Sequence, residues 1–178
     1  MYRDNMPLYG NVTKKSITMR KIIYVYGGET KNRILTEIGE QQVQSIIAFL
    51  QSQERMLGKI AMICPQVGPI KATSEEIKTA LPTLLEYHSI WAIWRDPKQK
   101  QEQNGRNTLE YILHFFRLMM NFDTILYVSG GSEIYGTVKQ TLKQFTPDKK
   151  DMLRYVHNGD IYVTKIDEGI VDFIPYQK

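Results

Sequence analysis

Three short segments of the chain carry residues whose types and order fit ligand chemistry. Each is the end of an apolar run followed by a turn, at Tyr26-Gly27-Gly28, Cys64-Pro65-Gln66 and Ser129-Gly130-Gly131. In α/β folds, ligands bind beyond the carboxyl ends of parallel strands. Glycine lets the backbone approach a ligand closely, and a helix that follows such a turn offers free N–H groups to an anion. The sequence therefore predicts that ligand chemistry is located at these three strand ends.

Strands and helices alternate along the chain, and they are the elements that position these three ends. Apolar residues at helical spacing (Val43, Ile46, Ile47 and Leu50) predict a helix over 36–53, with Thr36 as its cap. Two capping boxes, Thr73 with Glu76 and Asn107 with Glu110, predict two further helix starts. A fourth helix follows Ser132. The stretch 96–106 is predicted to be a surface loop. Strands are predicted at 22–26, 59–64, 87–94, 124–128, 160–166 and 170–174.

This order of elements predicts an α/β fold of three αβα layers. Its sheet is expected to be mostly parallel, because strands joined through helices run in the same direction. The last two strands, joined by Asp167-Glu168-Gly169, are expected to form a hairpin that adds an antiparallel edge.

Composition limits the classes of function. A chain of 178 residues is expected to form one domain, which we place at 21–178 after an extended N-terminal arm, 1–20. No apolar run approaches the roughly 18 residues of a membrane span, so no transmembrane segment is expected. The net charge of +4 is dispersed, which argues against nucleic-acid binding. His88, His114 and His157 lack the spacing of metal ligands, and neither a metal nor a cofactor is expected.

The strand end that reads Tyr26-Gly27-Gly28-Glu29-Thr30, followed by Leu35, Thr36, Gly39 and Gln42, resembles the opening of the histidine phosphatase (phosphoglycerate mutase) superfamily. The resemblance extends over about residues 20–166 and implies the phosphoglycerate mutase-like fold. In that family an arginine and a histidine precede Gly-Glu-Thr, and the histidine accepts the phosphoryl group. The resemblance therefore implies a phosphate pocket at the predicted strand ends.

The pocket residues of that family are replaced in this chain. Tyr26 stands where the first arginine belongs, and Gly27 stands where the nucleophilic histidine belongs. Pro69, or Gly68 in an alternative register, stands where a second arginine belongs, and Gly130 where a second histidine belongs. The family's acid position falls near Trp94-Arg95, with no glutamate there. Since a glycine has no side chain to carry a phosphoryl group, the resemblance predicts a vestigial pocket, no catalytic residues and a protein that is not an enzyme.

The run Met152–Ile161 resembles the mitochondrial protein phosphatase branch of the same superfamily. That resemblance implies a structural accessory subunit of a larger mitochondrial assembly, such as the respiratory chain, with other protein subunits as partners. A cytoplasmic location is the alternative. Trp91 and Trp94 are candidate interface anchors, or else ordinary strand residues, and the arm 1–20 is a candidate to lie along a partner.

Two other functions remain open on the sequence. Ser129–Tyr135 and Asp160–Ile166 resemble the Gly-Gly turn and following strand of dihydrofolate reductase, which implies an NADPH-binding enzyme. That resemblance covers only the last third of the chain. The second alternative is an active phosphatase with an atypical site.

Overall fold

The computed structural model describes the following residues of the chain: 20–65, 68–81, 85–90, 100–118, 122–149, 156–165 and 169–177. The predictions made for residues 1–19, Trp91, Trp94 and Arg95 lie outside these ranges. Within them, no helix is long and apolar enough to cross a bilayer.

A six-stranded mixed sheet forms the centre of the molecule, in the order β5-β4-β6-β1-β7-β8. The first four strands in this order are parallel, and β7 and β8 add antiparallel pairs at one edge, as predicted. The strands are β1 (Lys21–Tyr26), β4 (Ile60–Pro65), β5 (Leu85–Ile90), β6 (Thr124–Ser129), β7 (Ile161–Lys165) and β8 (Gly169–Ile174), with a small separate hairpin of β2 (Thr30–Lys31) and β3 (Ile34–Leu35).

Helices cover both faces of this sheet, because alternate side chains of β1 point to opposite sides. Ile23 and Val25 join a core cluster with residues of α1 (Glu37–Ser52) and α3 (Ile70–Ala80). Ile22 and Tyr24 join a second cluster with residues of α4 (Gln101–Leu118) and α5 (Gly131–Phe145). A short helix, α2 (Glu54–Leu57), follows α1. The prediction of three αβα layers is confirmed.

The loop after β1 is bound to the start of α1 by the residues of the opening motif. Thr36 caps α1 by accepting a hydrogen bond from the Gly39 N–H at 3.0 Å. The Glu29 carbonyl accepts from the Thr36 N–H at 3.0 Å, and the Glu29 N–H donates to Oε1 of Gln42 at 2.8 Å. A side chain at Gly39 would collide with the backbone of Glu29. The motif therefore fixes the path of the chain out of the central strand.

Two helices begin earlier than the capping boxes predict. α3 begins at Ile70, so Thr73 lies inside the helix, and its hydroxyl accepts from the Gly28 N–H instead of capping. α4 begins at Gln101, so the loop predicted over 96–106 is wrong for its second half. The physical cause is tertiary packing: the backbone of Gly105 lies against that of Gly136 in α5. Packing of this kind overrides local capping signals.

Candidate functional site at the strand carboxyl ends

The carboxyl ends of β1 and β6 lie side by side, and they bring two predicted site positions together. The Gly27 N–H donates to the Ser129 carbonyl at 3.1 Å. Cδ1 of Ile70 lies 2.8 Å from the point that a Cβ on Gly27 would occupy, and 3.9 Å from the corresponding point on Gly130. Gly27 and Gly130 therefore share one aliphatic neighbour, at the place where the resemblance expects two histidines.

The first turns of α3 pack against Gly27 and Gly28. Oγ1 of Thr73 accepts from the Gly28 N–H at 2.9 Å and would lie 3.1 Å from a Cβ on Gly27. Pro69, the third predicted position, directly precedes α3 and is exposed. A buried isoleucine and threonine thus occupy the volume beside Gly27, and an imidazole at that position would have to displace them.

A loop before β7, residues 156–160, completes the site and was not identified from the sequence. Nδ2 of Asn158 donates to the Gly27 carbonyl at 2.8 Å. The Gly159 N–H donates to the Tyr26 carbonyl at 2.9 Å, and the Tyr26 N–H donates to the Asp160 carbonyl at 3.0 Å. These three bonds hold the loop, including His157, beside the end of β1. The Asn158-Gly159 turn could have indicated this loop from the sequence. It served only in the resemblance of Met152–Ile161 to the mitochondrial branch.

The carboxyl group of Asp160 is buried beneath this loop, with 1% of the residue exposed. Burial raises its pKa, while hydrogen bonds from the backbone N–H groups of His157 (2.7 Å) and Tyr176 (3.0 Å) and the nearby charge of His157 act in the opposite direction. The net shift is upward, because desolvation of the carboxylate outweighs the two donors.

Tyr26 and Glu133 supply polar groups at the amino end of α5. The hydroxyl of Tyr26 lies against the backbone of Gly131. Burial, followed by the charges of Glu133 and Asp160, raises the pKa of Tyr26, so its hydroxyl stays protonated at neutral pH. Oε2 of Glu133 lies 3.2 Å from the point that a Cβ on Gly130 would occupy. It also accepts a hydrogen bond from the Ser132 hydroxyl at 3.0 Å. No sequence pattern identified Glu133 as a site residue, because the Gly-Gly turn is explained without it.

These residues can transfer protons, and the site has one imidazole-bearing residue in its loop. Tyr26 can donate a proton, the Glu133 carboxylate can accept one, and His157 is exposed at the rim. The described residues include no group of three or more metal-ligating side chains, and Cys64 is a buried cysteine at the end of β4. Tyr26, Glu133 and His157 therefore offer acid–base and nucleophilic groups.

The fold of the chain is that of solved phosphatases. It superposes on phosphoserine phosphatase from Entamoeba histolytica, solved with 3-phosphoglyceric acid, with a TM-score of 0.65 and 16% identity, covering 89% of this chain and 98% of that one. A mycobacterial glucosyl-3-phosphoglycerate phosphatase, solved with VO3, matches with a TM-score of 0.60 and 10% identity, covering 85% of this chain and 95% of that one. A mycobacterial hydrolase matches with a TM-score of 0.58 and 9% identity, covering 81% of this chain and 90% of that one. No family model and no curated protein matches the chain.

These comparisons confirm one prediction and correct another. The phosphoglycerate mutase-like αβα fold is confirmed. The prediction that the chain is not an enzyme is wrong, because the solved structures that share its fold are phosphatases. The dihydrofolate reductase alternative is not favoured, since the matching structures have the phosphatase fold over more than four-fifths of the chain.

Proposed function

We propose that this chain is a phosphatase-fold subunit of a larger mitochondrial assembly, with an atypical site in which His157, Glu133 and Tyr26 replace the histidines missing at positions 27 and 130. The observation that carries the chemical part is the loop 156–160, which is hydrogen-bonded to the Tyr26 and Gly27 backbone and carries an imidazole at the same strand end. We infer a phosphate monoester as the substrate, because the fold is that of phosphatases.

Each of the three side chains has one role in this proposal. Imidazole nitrogen of His157 attacks phosphorus, so that a P–N bond forms and the ester P–O bond breaks. The Tyr26 hydroxyl, kept protonated by its surroundings, gives its proton to the leaving oxygen. Water then attacks the phosphohistidine, so that a P–O bond forms and the P–N bond breaks; the proton of the water passes to the Glu133 carboxylate and from there to the Tyr26 oxygen, and phosphate leaves. The amino end of α5, where Glu133 lies, offers its N–H groups to the negative charge of the phosphoryl oxygens.

Hydrolysis of phosphoserine, 3-phosphoglycerate and p-nitrophenyl phosphate tests this chemistry. We expect His157→Asn to lower kcat by at least about a hundredfold, in the range of an acid–base or nucleophilic group. The matched control is His114→Asn, which changes an exposed histidine on α4 and should leave the rate unchanged. Labelling with radioactive substrate should give an acid-labile phosphohistidine in the wild type and none in His157→Asn.

Two results would refute the chemical part. One is full activity in His157→Asn, and the other is a wild-type protein that hydrolyses none of the three esters. Neither result bears on the assembly part, which is tested separately.

The assembly part is supported by exposed apolar side chains where β3 joins α1. Ile34 is 71% exposed and Ile38 is 43% exposed, and they lie four residues apart on either side of the Thr36 cap. Burying two such side chains against a partner removes apolar surface from water, at about 25 cal/mol per Å². The arm 1–20 is proposed to lie along the same partner. The mitochondrial location is supported by the resemblance of Met152–Ile161 to the mitochondrial branch.

Fractionation of the native source tests this part. We expect the protein to copurify with mitochondria and, after mild detergent, to sediment with a particle much heavier than the free chain. Ile34→Asp with Ile38→Asp should release it to the position of the free chain. Met56→Asp is the control, because Met56 is 63% exposed on α2 and is not part of the proposed surface. Sedimentation of the wild type as a monomer would contradict the proposal.

A further inference from the structure

The chain that follows β8 returns to the strand-end site. The ladder between β7 and β8 ends at the pair Ile161 and Ile174, and the next residue, Pro175, has no N–H to continue it. The Tyr176 N–H instead donates to Oδ1 of Asp160 at 3.0 Å. The chain after β8 is therefore joined to the residue that directly precedes β7.

The carboxylate of Asp160 joins this segment to the loop that carries His157. Its other oxygen, Oδ2, accepts from the His157 backbone N–H at 2.7 Å, and the Asp160 N–H donates to the His157 carbonyl at 3.0 Å. Only 1% of Asp160 is exposed, so water does not compete for these bonds. Hydrogen bonds to a carboxylate are also about twice as strong as those between neutral groups. One buried side chain thus binds His157 and Tyr176 at the same time, each through a different oxygen.

Gly159, in the same loop, is packed between Tyr176 and helix α1. Its φ is 88°, and a Cβ at this position would lie 3.0 Å from Cβ of Tyr176 and 3.1 Å from side-chain carbons of Gln42. Gln42 is buried and accepts the Glu29 N–H, so it cannot move aside without breaking that bond. The loop 156–160 is therefore held from two sides, by α1 and by the chain after β8.

We propose that Asp160 and Tyr176 are positioning residues of the strand-end site, because the chain after β8 holds the backbone of His157 in place through the buried Asp160 carboxylate. This inference rests on the proposed function, in which the His157 imidazole attacks phosphorus. Such an attack needs the reacting atoms about 3–3.5 Å apart, and a displacement of about 1 Å can lower the rate roughly a hundredfold. Neither Asp160 nor Tyr176 touches the substrate in this scheme, since each acts through His157.

Hydrogen exchange of the His157 backbone amide in the full chain tests this placement without any substrate. Tyr176→Pro removes the N–H that binds Asp160, whereas Tyr176→Ala keeps that N–H and the Cβ that contacts the loop. We expect Tyr176→Pro to lower the protection of the His157 amide at least about tenfold, and Tyr176→Ala to lower it far less. A second control is Asp172→Asn, which changes an exposed carboxylate of β8 that accepts from the Phe173 N–H and should leave the protection unchanged.

Hydrolysis of p-nitrophenyl phosphate by the same variants separates positioning from stability. At a temperature where circular dichroism shows every variant folded, Tyr176→Pro should lower kcat at least about tenfold with KM unchanged, because the attack by His157 is impaired and ester binding is not. Asp160→Ala, which removes both acceptor oxygens, should lower kcat by about a hundredfold. Since both changes act through one carboxylate, Tyr176→Pro should add no further loss to Asp160→Ala.

Two results would overturn the inference. One is equal protection of the His157 amide in Tyr176→Pro and Tyr176→Ala, and the other is a loss of kcat in Tyr176→Pro that adds in full to the loss in Asp160→Ala. The two Tyr176 variants decide the matter even if Asp160→Ala fails to fold. A wild type that hydrolyses no ester would instead refute the proposed function, and the exchange experiment would still decide whether Tyr176 positions His157.

Discussion

At the scale of single residues, the two neighbouring glycines after β1 have different physical roles. A Cβ on Gly28 would lie 2.6 Å from the Gly39 carbonyl oxygen and 2.9 Å from Leu35 and Val43 side-chain carbons. A Cβ on Gly27 would meet Cδ1 of Ile70, the end of a side chain that can move. We therefore expect Gly28→Ala to cost about 3 kcal/mol and Gly27→Ala about 1 kcal/mol, measured by urea unfolding.

A double mutant tests whether contact with Ile70 causes the loss of stability in Gly27→Ala. Ile70→Val removes the Cδ1 atom that faces Gly27, so it should relieve most of the strain of Gly27→Ala and give a favourable coupling energy of about 0.5 kcal/mol or more. The same valine should not rescue Gly28→Ala. Strict additivity of Gly27→Ala and Ile70→Val would show that Ile70 does not limit the space beside Gly27.

Asp160 gives the stability of the protein a dependence on pH. Its pKa in the folded state is raised above 3.8 by burial, so the folded state holds the proton more tightly than the unfolded state. Its contribution is therefore fully present below the unfolded pKa and declines as the pH rises from about 3.8 through the folded pKa. In urea unfolding between pH 3 and 7, Asp160→Asn should remove this decline.

The exposed aspartate Asp148 provides the comparison, since Asp148→Asn should leave that dependence as in the wild type. Asp160→Asn is also expected to be less stable at every pH, because the two N–H groups reach different carboxylate oxygens and the amide nitrogen that replaces one oxygen cannot accept a hydrogen bond. An NMR titration that gave Asp160 a pKa at or below 3.8 would contradict the prediction.

At the scale of elements, α3 is joined to the loop after β1 by one buried hydrogen bond. Oγ1 of Thr73, fully buried, accepts from the Gly28 N–H at 2.9 Å. Thr73→Val keeps the shape and leaves that N–H unpaired, so we expect a loss of about 1–3 kcal/mol in denaturant unfolding. Thr73→Ser keeps the oxygen and should lose less. A loss in Thr73→Ser at least as large as the loss in Thr73→Val would mean that the methyl contact stabilises the fold at least as much as the hydrogen bond, which would contradict the prediction.

A comparison of α1, α3 and α4 shows which helix boundaries the sequence can predict. The start of α1 was predicted correctly, because Thr36 caps a helix whose other contacts agree with it. The starts of α3 and α4 were missed, because Thr73 is engaged by Gly28 and Gly105 packs against Gly136. Those contacts join residues more than thirty positions apart, so no local pattern reveals them.

At the scale of the whole molecule, the order of strands and helices was enough to predict the three layers and the antiparallel edge. Periodicity encodes which faces are buried, and the crossover rule makes the central strands parallel. The site was predictable only in part. Gly27 and Gly130 do meet at the strand ends, but Asn158 and Glu133 reach them from other elements. Their contribution depends on loop geometry that the sequence pattern does not specify.

The division of the chain into the arm 1–20 and a domain over 21–178 remains a prediction, and it has a thermodynamic consequence. The core clusters of the described residues begin at Ile22 and lie on two faces of one sheet, so they should melt together. Without residues 1–20, we expect one calorimetric transition of about 110 kcal/mol, at roughly 0.7 kcal/mol per residue, with its melting temperature unchanged. A second transition, or a lower melting temperature in the shortened chain, would mean that the arm belongs to the folded core.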